Sequence, residues 1–303
     1  PSFCRSLDRS TAGGLAMTMN VRMLSIVAAA FCMQTQAPPF QSTTHAVSVD
    51  VTVLKGDRAV MNLGIDDFEV RDNQVSQTLQ AVDPNTLPID LRLVFDTSGS
   101  ISDRDLARYV QTMNRVAAAL ETRDRCEIIT FNSRIADAAS LQHPPIKIAL
   151  QRGGQDGTAF FDAVALAMVT VPTPDRRQIT IVLSDALDNS SLFDERTMLD
   201  AARRTDAVVY TILPGDPKDS RTVSVARLHA LSLLTGGRLV LAHEAAVGTA
   251  VIDAIAEFRQ GYVLRYVLTG VQLSGWHKLE VRVKSGYRVR ARQGYFARVA
   301  PGR

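Results

Sequence analysis

Ile89-Asp90-Leu91-Arg92-Leu93-Val94-Phe95-Asp96-Thr97-Ser98-Gly99-Ser100 runs from an apolar segment into a turn crowded with side-chain oxygens. Leu91–Phe95 is largely apolar without clean alternation, the composition of a strand covered on both faces of a parallel sheet. Apolar residues at helical spacing follow from about Asp103 to Glu121. Asp96, Ser98 and Ser100 stand at i, i+2 and i+4 just past the strand's carboxyl end, where open α/β sheets bind ligands. In a turn, alternate residues can face one cavity, and Gly99 permits a close backbone approach. Oxygen-only donors suit a hard cation. Taken alone, the same spacing also fits a helix N-cap, with Ser100 or Ser102 capping the helix that begins near Asp103.

Strand and helix signals alternate from there on. Strands are expected at Cys126–Phe131, Gln178–Leu183, Ala207–Leu213 and Arg238–Leu241. Helices are expected at Ala159–Val171, Phe193–Arg204, Val223–Thr235 and Ala245–Arg259. Such a series packs as a doubly wound, mostly parallel α/β sheet with helices on both faces.

The flanks read differently. His45–Leu54 alternates Val47, Val49, Val51 and Val53 with polar partners, and Asp66–Val70 and Leu79–Val82 are further short extended segments before the linker prolines Pro84 and Pro88. After Gly261 the helical period gives way to Tyr262–Leu268, Trp276–Lys284 and Tyr287–Tyr295, joined by glycine turns. Neither set of strands alone closes a stable core, so the two are expected to pair into a small antiparallel β-sandwich in which the α/β domain is inserted. The expected division is residues 1–37 as upstream residues and signal peptide, 38–88 as N-terminal sandwich strands, 89–260 as the α/β domain and 261–303 as C-terminal sandwich strands.

The 303 residues carry 46% hydrophobic and 21% charged side chains, ordinary values for a folded chain. The formal charge of +3 falls to +1 without residues 1–37, whose three arginines outnumber Asp8. No nucleic-acid partner is implied, since that needs basic residues gathered on one face. The densest group, Lys278, Arg282, Lys284, Arg288, Arg290 and Arg292, alternates with apolar residues and reads as a solvated strand face. Met19–Ala37 has Arg22, an apolar run and then small residues, the pattern of a secretory signal. The protein is therefore expected to be exported (periplasmic, cell-surface or secreted), with no transmembrane span in the mature chain. Cys4 and Cys32 would leave with the signal; Cys126, in an apolar strand, should behave as a small buried hydrophobe without a disulfide partner.

Downstream, Gly157-Thr158-Ala159-Phe160-Phe161-Asp162-Ala163 precedes a helix, and Leu183-Ser184-Asp185-Ala186-Leu187-Asp188 ends a strand. With Asp96-Thr97-Ser98-Gly99-Ser100 these segments resemble, in order, the three pieces of the metal-ion-dependent adhesion site of von Willebrand factor A and integrin I domains. The flanking strands, with Asp66–Val70, Trp276-His277-Lys278 and Val289–Tyr295, resemble those of the VWFA-related bacterial family. The resemblance implies a divalent cation, Mg²⁺ with Mn²⁺ or Ca²⁺ as alternatives, held by Asp96, Ser98, Ser100, Thr158 and Asp185. Two carboxylates balance a dication. Mg²⁺ prefers six oxygens at about 2.1 Å and keeps waters, leaving a position for an Asp or Glu carboxylate of a protein partner. The function implied is adhesion or assembly at the bacterial envelope or exterior, without catalysis. Ala186 stands where the family often has glycine, and the Gly153–Thr158 loop is longer than its commonest form.

Two enzyme readings are weaker. Val94-Phe95-Asp96-Thr97 lacks the glycine and the second lobe of an aspartic protease. A metal-dependent hydrolase would need a general base near the motif; His45, His143, His229, His243 and His277 are scattered and expected at the surface. A structural envelope module with little use of metal is the remaining alternative.

Overall fold

The computed structural model describes residues 46–84, 87–99, 102–146, 157–169, 173, 175–215 and 222–297. The expected signal segment, Cys4, Cys32, His45 and Ser100 lie outside the described residues. The described chain opens with β1 (Ala46–Lys55), β2 (Arg58–Ala59), β3 (Phe68–Asp72), β4 (Val75–Gln77) and β5 (Leu79–Pro84). Next come β6 (Ile89–Asp96), α1 (Asp103–Ala119), β7 (Arg125–Phe131), β8 (Ile135–Gln142), α2 (Phe160–Met168) and β9 (Arg177–Leu183). They are followed by α3 (Glu195–Arg204), β10 (Val208–Pro214), α4 (Thr222–Thr235), β11 (Leu239–Ala242) and α5 (Val247–Arg259). Four strands complete the series: β12 (Tyr262–Val267), β13 (Gly275–Val283), β14 (Arg288–Ala291) and β15 (Gly294–Ala297).

A six-stranded sheet in the order β11-β10-β9-β6-β7-β8 carries the α/β layer. Its pairs are parallel except β7 with β8. Side chains alternate between the faces. Leu91, Leu93 and Phe95 pack with Met113 and Val116 of α1 and with Val251, Ile255 and Phe258 of α5. Val94, Val182 and Val209 pack on the other face against Phe160 and Val164 of α2, Met198 of α3 and Leu228 and Leu231 of α4. Burial on both sides explains why these strands read as unbroken apolar runs. Cys126 sits in the first of these cores, 1% exposed, and burial, reinforced by the charge of Glu127, pushes its thiol up to about 12. Such a thiol is inert at neutral pH.

Strands that precede and follow the α/β layer in sequence pair with one another. One antiparallel sheet has the order β14-β1-β12-β5 with β2 beside β1, and another has the order β15-β13-β3-β4. Val49 lies opposite Leu264 and Val51 opposite Tyr262. Val49, Val51 and Val53 share a core with Phe68, Val70, Tyr262, Leu264, Tyr266, Leu279 and Val283 from both sheets.

Several local expectations are corrected. The run Tyr287–Tyr295 is two strands, β14 on β1 and β15 on β13. The break falls where Gln293 N–H bonds to Leu234 O and where Gly294 passes beneath Trp276, so closely that a Cβ would lie 2.4 Å from the indole. Lys278, Arg282, Lys284 and Arg288 are exposed as expected, whereas Arg290 and Arg292 turn inward to Glu257 and Asp206. His277 is fully buried instead of superficial: Nδ1 lies 2.6 Å from Asp72, whose other oxygen accepts from Tyr266 and Tyr295. Among the described residues no helix is long and apolar enough to cross a membrane.

Candidate metal centre

Strands β6 and β9 are parallel neighbours with Phe95 opposite Leu183, so the residues that leave their carboxyl ends emerge side by side. Asp96 Oδ2 accepts from Ser184 Oγ at 2.9 Å, and Oδ1 accepts from Ser98 N–H at 2.9 Å. Thr97 is tied to β7, its N–H and hydroxyl both donating to Phe131 O at 2.7 and 3.0 Å. Asp96, Thr97, Ser98 and Ser184 are buried. Burial raises the Asp96 carboxyl above its ordinary value, and repulsion from Asp185 adds to the rise, while hydrogen bonds from Ser98 and Ser184 oppose it. Among the described residues no Lys or Arg forms an ion pair with Asp96 or Asp185.

Asp90 lies at the opposite end of β6 and is equally buried. Burial alone would raise its carboxyl too, but hydrogen bonds and charge from Arg125 and Arg176 outweigh it and hold the group low. One strand therefore carries two buried carboxylates, one neutralised by the protein and one not.

Thr158 is fixed to the Asp185 loop. Its N–H donates to Asn189 Oδ1 at 2.7 Å, and its carbonyl accepts from Asn189 and Ser190 N–H at 3.0 and 3.2 Å. Gly157 has φ +128°, and a Cβ there would meet the Ser190 hydroxyl at 2.0 Å, so this approach requires glycine. Asp188 accepts from Phe161 N–H and the Ser191 hydroxyl, while Asp162 accepts from Leu192 and Phe193 N–H. The two loops thus cap each other's backbone. Asp185 caps Leu187 N–H at 3.0 Å, and Ala186 holds φ +57°, the left-handed conformation that glycine adopts freely. Arg227 of α4 secures it by donating to Ala186 O.

Of the five expected ligands, Asp96, Ser98 and Asp185 share the mouth between β6 and β9. Thr158 is bound to the same loop, and Ser100 lies outside the described residues. Sequence reading missed the supporting roles of Ser184, Asp188, Asn189, Asp162 and Arg227. Ser184 was legible in principle, since it directly follows a strand parallel to that of Asp96; Arg227 carries no local signal. Among the described residues no group of three or more His, Cys, Asp or Glu is placed to hold a metal. The candidate set has two carboxylates and otherwise hydroxyls. A buried carboxylate, Asp96, repelled by the half-buried Asp185 and surrounded by neutral hydroxyls, fits a dication, which would relieve the repulsion directly.

Residues 91–195 match the model of a family described as VWA-like domain (DUF2201). The match spans β6 to the start of α3 and includes all five expected ligands. No curated protein matches the chain. Among solved structures, proximal thread matrix protein 1 from the mussel byssus superposes with a TM-score of 0.47 at 13% identity, over 58% of this chain and 49% of that one. The chain thus covers about half of the mussel protein's length. The ArnB paralog VWA2 from Sulfolobus acidocaldarius gives 0.47 at 9% identity, over 84% of this chain and 76% of that one. A von Willebrand factor type A structure from Catenulispora acidiphila gives 0.42 at 11%, over 84% and 75%.

Proposed function

We propose that this chain, which carries a VWA-like domain, is a divalent-cation-dependent protein-binding module that works by adhesion or assembly rather than catalysis. The observation that carries the reading is the contrast along β6. Asp90 is neutralised by two arginines, whereas Asp96, buried beside Asp185, has no basic partner among the described residues. A carboxylate buried without a compensating positive charge costs stability and marks a candidate functional site.

Asp96, Ser98, Ser100, Thr158 and Asp185 would hold Mg²⁺, with Mn²⁺ or Ca²⁺ as alternatives. Bound there, the cation would supply a Lewis-acid position for an Asp or Glu carboxylate of the partner protein. Residues 89–260 form the binding domain in this reading, inserted in an antiparallel β-sandwich built by residues 38–88 and 261–303. The Met19–Ala37 segment supports export to the bacterial envelope or exterior.

The test is capture of envelope proteins by the immobilised chain in Mg²⁺. Capture should be lost in EDTA and in Asp96→Ala, which is expected to keep its fold because the site is at the rim of the sheet. Equal capture with and without cation would replace this reading with a structural, metal-independent module.

A further inference from the structure

At the end of the α/β sheet opposite Asp96, where β9 and β10 begin, a cleft of about 580 Å³ opens between that layer and the antiparallel strands. Its charged lining is Arg176, Arg177, Arg204, Arg265 and Arg292 against Asp50, Asp175 and Asp206, a net charge of +2. The three carboxylates are engaged: Asp50 with Arg177 at 2.6 Å, Asp206 with Arg292 at 3.1 Å and Asp175 with Arg265 at 3.6 Å. Arg176 reaches past the wall to Asp90. Arg204 is exposed and makes no ion pair among the described residues; its guanidinium lies 4.1 Å from the centroid of the Phe296 ring, also in the lining. Val47, Val263 and Leu268 add apolar wall.

Three features converge on a ligand class. Every cation in the lining is arginine, whose planar fork matches carboxylate and phosphate oxygens. Positive charge in a concave, low-dielectric wall concentrates anions. The volume and the position at a junction of two layers are those of small-molecule sites, and the apolar wall calls for more than a bare ion.

We propose that this cleft binds a small organic anion, an oxyanion head on a partly apolar body, with Arg204 as the cation that meets the head. The site is separate from Asp96 and independent of any bound cation. Trp276, the only tryptophan, stacks edge-on against Phe296 with centroids 5.3 Å apart, so its fluorescence should report occupancy.

The experiment titrates the full chain with hexyl phosphate, hexanoate and inorganic phosphate at constant ionic strength. A saturable change with hexyl phosphate or hexanoate is expected, and the tighter of the two identifies the head group. Arg204→Gln should weaken it at least about tenfold, as for loss of a charge-assisted bond. Arg203→Gln, its neighbour outside the lining, should titrate as wild type. A linear response, equal affinities for wild type and Arg204→Gln, or inorganic phosphate binding as tightly as hexyl phosphate would overturn the proposal.

Discussion

Asp96 holds its proton more tightly in the folded chain than in the unfolded one, where the ordinary value is 3.8. Stability therefore declines as pH rises through the folded-state value, because the ionised form is the one the fold disfavours. Asp96→Asn cannot ionise, so without divalent cations it should be more stable than wild type at neutral pH. That gain should shrink towards acid. Urea titrations in EDTA across pH would show it, and a variant less stable than wild type at every pH would defeat the reading. Mg²⁺ should reverse the order by stabilising only the wild type. That Asp96 and Asp185 leave the ends of neighbouring strands was legible at this scale, because each closely follows an apolar run. The unneutralised state of Asp96 was not, since it depends on which basic residues come near, and only three-dimensional packing decides that.

At the scale of elements, the loops after β6 and β9 and the start of α2 are held by hydrogen bonds among themselves, but the Asp185 loop also depends on a helix remote in sequence. Arg227 of α4 donates to Ala186 O, pairs with Glu195 at 3.2 Å and lies over Phe161. It thereby fixes a left-handed alanine one residue from Asp185. Arg227→Ala should lower Mg²⁺ affinity about three- to tenfold while removing no ligand, consistent with loss of about 1 kcal/mol of hydrogen bonding. Calorimetric titration against Asp185→Ala separates the two roles: the ligand variant should bind no measurable Mg²⁺, and wild-type affinity in Arg227→Ala would show that the loop holds itself. The strands of the α/β layer were readable from their apolar runs, and α1, α3, α4 and α5 from their periodicity. β8 was not readable, because Ile-Ala-Asp-Ala-Ala-Ser-Leu-Gln has little intrinsic strand preference and is extended only by pairing with β7. Helix α2 ends at Met168, three residues earlier than its apolar continuation suggests.

For the whole molecule, several contacts that join the α/β layer to the antiparallel strands are ion pairs. Glu257 of α5 accepts from Tyr210 at 2.9 Å, from Arg238 at 3.0 Å and from Arg290 of β14. Arg177 at the start of β9 pairs with Asp50 of β1, its side chain 3% exposed and its guanidinium 4.0 Å from the centroid of the Phe258 ring. Pairing of β1 and β3 with β12, β14 and β13 was legible from strand patterns, whereas these ties were not, since arginines at strand period read equally as a solvated face. Buried ion pairs add little net stability, yet removing one partner strands the others at considerable cost. Layers joined this way should unfold together, so the described residues, which lie in one compact unit, are expected to melt in a single transition with equal calorimetric and van't Hoff enthalpies. Glu257→Ala leaves the buried Tyr210 hydroxyl and two arginines without their acceptor, and should cost about 3 kcal/mol, or roughly 6–10 °C in Tm for a chain of this size. Because the charge belongs to both layers, the whole transition should shift; two resolved transitions, with only one displaced by the substitution, would show that the layers fold independently.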